Sequence, residues 1–202
     1  MKQEFKLTYT FDMVHDTQKV FRELLNAMAN PGKKRSIEAQ AARFPGEFGA
    51  LAAIGCTLLD QEERMYVEKN PRLSELLRTL TFAHPESLQE ADYLFLSSEL
   101  NYASVREIMK HAKKGTYADP QTSATLIFLC ESLNGDTHVT LEGPGIDGSL
   151  TLETTLYLKN LLGIRQELET EYPLGLDFFC VTEDGELMGF PRLTRLVKGG
   201  AR

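Results

Sequence analysis

Hydrophobic and polar positions change their period along this chain, and each change marks an element. Phe5, Leu7, Tyr9 and Phe11 alternate with Lys6, Thr8 and Thr10, a period of two that predicts an extended arm over residues 1–15. The period then lengthens. Val20, Phe21, Leu24, Leu25 and Met28 fall on one helical stripe, with Asp16 or Thr17 as its cap and Asn30-Pro31-Gly32 as its end, because proline cannot continue a helix and glycine permits the reversal. Pro45-Gly46 opens a second helix whose Phe48, Leu51, Ala52, Ile54 and Leu58 cover much of its circumference, as a helix covered on more than one side requires.

Met65 to Val67 and Tyr93 to Leu96 read as short strands, and Pro71 to Phe82 and Asn101 to Ala112 as helices. The second of these helices ends in Lys110, His111, Lys113 and Lys114, cations that a helix C-terminus favours through its dipole. Ala124 to Cys130, ATLIFLC, is a run apolar at all but Thr125 and reads as a strongly buried strand. His138 to Leu141 is expected to return antiparallel to it after the Asn134-Gly135 turn. Leu150 and Leu152 alternate with polar residues as a further strand, and Leu156, Leu158, Leu161, Leu162, Ile164 and Leu168 carry a last helix into the acidic run Glu167, Glu169 and Glu171.

Pro173 to Leu196 is the stretch the rest is built to cover. Leu174, Leu176, Phe178, Phe179, Cys180 and Val181 form a second buried strand, Asp184-Gly185 supplies a two-residue hairpin turn, and Leu187 to Phe190 return until Pro191 stops the ladder. Helix alternating with short apolar strand points to a layered α/β fold with a mixed central sheet in one domain, 1–202, whose last residues, 198–202, form a mobile tail.

Composition narrows the function classes. Twenty-two basic and twenty-nine acidic side chains leave a net charge of -7, which argues against a general phosphate-neutralising nucleic-acid surface. Cys56, Cys130 and Cys180 are odd in number and far apart, so neither a disulfide framework nor a zinc site is indicated, and a reducing cytoplasm fits best. The opening MKQEFKLTYTF lacks the apolar core of a signal peptide, and no stretch approaches the roughly 20 apolar residues of a membrane span. Lys33-Lys34-Arg35 reads either as a solvated strand entrance or as a contact for an anion or acidic partner.

The candidate chemistry is sparse. Gly143-Pro144-Gly145-Ile146-Asp147-Gly148 matches GxGxxG in letters, yet Ser149 to Glu153 reads as strand where a dinucleotide fingerprint needs a helix. Its free amides could still hold a phosphate. His15, His84, His111 and His138 share no metal-ligand spacing, Cys130 and Cys180 read as core residues, and no self-contained catalytic motif is present. Asp177 begins a buried strand and needs a basic partner, Arg192 or Arg195. Gly143, Gly145, Asp177, Arg192, Thr194 and Arg195 therefore mark either a structural cleft or an anion-binding one, arginine being suited to bidentate contact with phosphate or phosphonate oxygens.

Five blocks in order, FRELLNAMANPG (21–32), SATLIFL (123–129), EGPGI (142–146), PLGLDFF (173–179) and FPRLTRL (190–196), resemble the PhnH family, the H subunit of the bacterial carbon-phosphorus lyase system. Leu193 departs from the family's usual threonine. The resemblance implies a three-layer αβα fold similar to pyridoxal-phosphate-dependent transferases but without that cofactor. It implies an accessory, homodimerising subunit that works with G, I and J subunits. In that system the G, H and I subunits with L replace the adenine of ATP by a phosphonate, and the J subunit, a radical S-adenosylmethionine enzyme, breaks the carbon-phosphorus bond. Apolar contact surfaces are expected in the N-terminal arm and at the strand tip near Phe190. The alternatives are a free-standing phosphate- or nucleotide-binding enzyme, gripping its ligand with the GPGI turn and Arg192, or a residual pyridoxal-phosphate enzyme, for which Lys159 is the candidate lysine.

Overall fold

The computed structural model describes residues 9–168 and 170–197; the first eight residues of the expected arm, Glu169 and the 198–202 tail lie outside them. In chain order come helix α1 (His15–Ala29), strand β1 (Arg35–Ser36), helices α2 (Glu38–Ala41) and α3 (Gly49–Leu58), then β2 (Arg64–Val67), α4 (Pro71–Thr81), β3 (His84–Pro85), β4 (Tyr93–Leu96) and α5 (Tyr102–His111). The second half supplies β5 (Thr125–Leu129), β6 (Thr137–Glu142), β7 (Leu150–Thr154), α6 (Leu156–Glu167), β8 (Asp177–Val181), β9 (Glu186–Phe190) and β10 (Arg195–Leu196).

Seven strands make a mixed sheet in the order β1-β9-β8-β5-β4-β2-β3. β8, β5, β4, β2 and β3 run parallel, and β9 returns antiparallel to β8. Side chains alternate between two cores. Met65, Phe95, Ile127, Phe179 and Leu187 pack with Val20, Leu24, Leu51, Ile54 and Leu77 of α1, α3 and α4. Leu94, Leu126, Phe128, Phe178 and Met188 pack with Val105 and Met109 of α5 and Leu158, Leu161 and Leu162 of α6. Both faces are covered, which is why β5 and β8, after Thr125 and Asp177 at their starts, read as apolar runs rather than alternating ones. Each fully buried Leu, Ile or Phe contributes about 1.5–3 kcal/mol.

Several local expectations are corrected. β6 does not return against β5: it pairs with β7 and β10 in a separate three-stranded antiparallel sheet, which packs over the α5–α6 core through Val139 and Leu141. The β8–β9 turn is longer than two residues. Thr182 and Glu186 close it by backbone and hydroxyl bonds, and of its residues only Gly185 is left-handed, at φ +95°. α1 begins at His15 and is capped by Asp12, whose Oδ1 accepts from the N–H groups of Val14 (2.8 Å) and His15 (2.9 Å). Asp16 is buried instead, paired with Arg43 at 3.2 Å and Lys19 at 3.4 Å. Of the expected stripe, Val20 and Leu24 are buried while Phe21 and Leu25 are exposed. Phe190 is fully buried, so the strand tip offers no apolar surface there.

One close approach fixes α1 on the sheet. A Cβ on Gly189 would lie 2.8 Å from the Ala27 carbonyl carbon, so the helix backbone rests directly on β9 where only glycine leaves room.

Candidate functional site

Two arginines organise the end of the sheet where β9 leaves for the small sheet. Arg192 follows Pro191, which ends β9, and its guanidinium turns back to the start of β8. Nε sits 3.3 and 3.2 Å from the two Asp177 oxygens, and Nη2 lies 2.5 Å from Asp177 Oδ2. The Arg192 backbone N–H donates to Asp177 Oδ1 at 2.7 Å. The remaining donors go to the carbonyls of Pro120 (3.0 Å) and Pro173 (3.1 Å) and to Ser123 Oγ (2.5 Å). Of the two basic partners considered for Asp177, the structure selects Arg192. The fork joins β8, the β9 exit and the segment entering β5, a geometry that lysine could not reproduce.

Arg165 is the second hub, and no motif pointed to it. It is 7% exposed on α6. Nη1 donates to the carbonyls of Leu176 (3.1 Å) and Phe190 (2.6 Å), and Nη2 to that of Thr194 (2.7 Å). The guanidinium carbon stands 4.6 Å over the Phe178 ring, a cation–π position. Burial pulls its pKa down to about 10, so it stays cationic at neutral pH. A sequence signal existed. Leu158, Leu161, Leu162 and Arg165 share one face of α6, and the apolar stripe runs straight into the arginine.

The glycine turn serves close packing. Gly143 has φ +138°, and a Cβ there would meet the Leu193 carbonyl at 2.7 Å; at Gly145, φ +84°, it would meet the Ala29 carbonyl at 2.6 Å. These glycines seat the β6–β7 connection between the Leu193 turn and the end of α1. Strand β7 follows, with no helix opening at Gly148, so the dinucleotide reading fails in the structure as it does in the sequence. A shallow cleft of about 460 Å³ remains, lined by Glu142, Gly143, Gly148, Leu193 and Arg195. Arg195 stands opposite Glu142 in the ladder. Thr194 is buried, and its Oγ1 has no hydrogen-bond partner among the described residues. Of the six residues singled out by sequence, Asp177 and Arg192 form an ion-pair brace, Gly143 and Arg195 line the open cleft, Gly145 packs against the end of α1 and Thr194 is buried beneath.

A second cleft, of about 500 Å³, lies at the carboxyl ends of β4, β5 and β8, where open parallel sheets place ligands; Ser98, Glu99, Cys130, Glu131, Thr182 and Asp184 are among its walls. Burial and the neighbouring Cys130 push the Cys180 thiol well up, so it is a core group and not a thiolate nucleophile. Among the described residues no group of His, Cys, Asp and Glu is arranged to hold a metal ion. Lys159 is exposed on α6, not set in the apolar pocket for which it was the candidate lysine. No helix among the described residues is long and apolar enough to cross a membrane.

Comparison with known proteins adds what geometry cannot. The family model described as bacterial phosphonate metabolism protein (PhnH) matches residues 9–197. A putative C-P lyase subunit protein, HtxG, from Stutzerimonas stutzeri is 24% identical over 184 residues, covering 91% of this chain and 87% of that protein. The alpha-D-ribose 1-methylphosphonate 5-triphosphate synthase subunit PhnH of Rhizobium meliloti (strain 1021) is 25% identical over 190 residues, covering 92% of each.

Proposed function

The chain belongs to the family of bacterial phosphonate metabolism proteins (PhnH), and on that premise we propose that it is an accessory subunit of a carbon-phosphorus lyase system in organic phosphonate catabolism. With its partners it serves the transferase step that makes ribose 1-phosphonate 5-triphosphate from ATP and a phosphonate. Those partners are G, I and J subunits and a second copy of the chain, in the cytoplasm. In this reading the layered sheet is a relative of the pyridoxal-phosphate transferase fold, used without the cofactor. The match over residues 9–197 carries the proposal. The state of the arginines supports it: the donors of Arg192 reach Asp177, Ser123 and two carbonyls, and those of Arg165 reach three, so both cations already have partners within the chain.

Growth on methylphosphonate as the phosphorus source tests the role. A strain lacking the gene stops growing and recovers with the intact chain, and the purified chain alone leaves ATP and methylphosphonate unchanged. Turnover by the isolated protein would instead establish a free-standing enzyme.

A further inference from the structure

The two sheets have four edge strands, and three of them are blunted. β1 and β3 end the seven-stranded sheet and β10 ends one side of the small sheet; each is two residues long, and β3 contains Pro85. Short strands and proline are the usual protection against strand addition, because an edge offers a row of unpaired N–H and C=O groups. The fourth edge, β7 (LTLET), is five residues long and has neither lysine nor proline. Its one charge, Glu153, lies 3.6 Å from the His138 ring on β6.

Register shows which groups this edge presents. The Val197 N–H donates to the Thr140 carbonyl, so Thr140 turns its backbone groups toward β10. Across an antiparallel ladder, bonded and non-bonded pairs alternate. Thr151, opposite Thr140, and Glu153, opposite His138, therefore point their N–H and C=O groups away from β6. Both residues are exposed, and among the described residues no backbone donor or acceptor meets those groups.

The same register chooses the occupant. Leu152 is the middle of β7, so a twofold axis there lays the strand antiparallel on its own copy with all five residues paired. Each Thr151 then exchanges both backbone hydrogen bonds with Glu153 of the other copy, and Leu152 meets Leu152. A twofold at Glu153 would instead set two carboxylates face to face. The chain stays extended through Thr155, at ψ 156°, and carries Leu156, 61% exposed, toward Gly148 of the other copy, where a Cβ would meet nothing within 4 Å.

We propose that β7 pairs with its own copy about Leu152, joining two three-stranded sheets into one across the dimer. The inference rests on the second-copy part of the proposed function and names the surface involved. A pairing this short covers less than the roughly 1,000 Å² of a stable interface, so the dimer dissociates at about micromolar concentration.

The experiment follows the full chain by analytical ultracentrifugation and amide hydrogen exchange from about 1 to 100 μM. Thr151→Pro removes an N–H that points away from β6 and leaves the ladder within the chain in place. It weakens the dimer on the order of 100-fold. Thr151→Glu, facing Glu153 of the other copy, weakens it about 10-fold, whereas Thr151→Lys at the same place strengthens it about 5-fold. Exchange at the Thr151 and Glu153 amides of wild type slows as concentration rises. Should the proline variant melt early, the opposite signs of the Glu and Lys variants still decide, because Thr151 is exposed and tolerates both.

A dimer indifferent to all three substitutions overturns the β7 edge and leaves the second copy standing. A wild type that stays monomeric throughout removes both, while growth on methylphosphonate still tests the subunit role. Dimerisation that begins only when residues 1–8 are deleted would seat that segment on the edge. Loss of binding to an assembly of G, I and J subunits by Thr151→Pro, with self-association unchanged, would seat a different partner there. Either result overturns the proposal.

Discussion

At the exit of β9 the protein buries one guanidinium group and half-buries another, while at the start of α1 and along it Val14, Phe21 and Leu25 are left in water. Each region reverses the usual sorting, and the reversals differ in what offsets them. Both cations have hydrogen bonds within the chain, and Arg165 an aromatic face as well, so the cost of taking them from water is met on folding. Among the described residues nothing covers the exposed apolar groups, so the described fold gains little from them. The first region should therefore respond to mutation with a large loss of stability and the second with a small one.

The largest effect is expected at Arg165. Arg165→Ala leaves the carbonyls of Leu176, Phe190 and Thr194 without their shared donor and opens a cavity over Phe178, which should cost about 3–5 kcal/mol in urea unfolding. Arg165→Lys recovers little, because one ammonium cannot span three diverging carbonyls. Arg192→Ala should cost less, about 2 kcal/mol, since Asp177 keeps some access to water and can be rehydrated. In a double-mutant cycle Asp177→Asn adds little once Arg192 is gone. A smaller loss at Arg165 than at Arg192 would mean that the deeper burial is not the stronger brace.

Asp16 extends the buried-polar side of the comparison to α1 itself. Its carboxyl is held below the ordinary value of 3.8 chiefly by the Asp12 backbone N–H, with burial opposing and Lys19 and Arg43 assisting. The folded state thus binds this proton less readily than the unfolded chain, whose aspartate titrates near ~3.9. The stabilisation is complete above that pH and disappears as the pH falls through the lower folded value. Melting temperature should drop below about pH 4, and Asp16→Asn, weaker at neutral pH, should converge on wild type in acid.

The central sheet was legible because strands buried on both faces are apolar along most of their length; β5 and β8 carry that signal in Leu126 to Leu129 and Phe178 to Val181. Partnership was not. Local pattern locates β6 but not its neighbour, and β6 joins β10, more than fifty residues on, instead of the adjacent β5. The Asp177–Arg192 pair was legible from the expense of an unpaired carboxylate at a buried strand, whereas Arg165 was hidden because its partners are carbonyls, which every residue has. The two stripes of α1 merged into one in the sequence for a similar reason: hydrophobicity states what a side chain avoids, not whether this chain or another removes it from water.

Leu24 and Leu25 test that last point with the chemistry held constant. They are neighbours on one helix, yet Leu24 is 3% exposed within the sheet-facing core and Leu25 is mostly in solvent. Leu24→Ala removes packed methyl groups and should cost about 2–5 kcal/mol, with the spread set by how far α1 and α3 can close the gap. Leu25→Ala removes groups already hydrated and should fall within about 0.5 kcal/mol of wild type. The helix remains in register because Gly189 admits the Ala27 backbone whichever residue stands at 25. A Leu25 loss comparable to that at Leu24, measured on the isolated chain, would place a covering group of this chain over the stripe and erase the contrast between the two regions; a null effect there, with weakened assembly, would locate the work of Leu25 outside the fold.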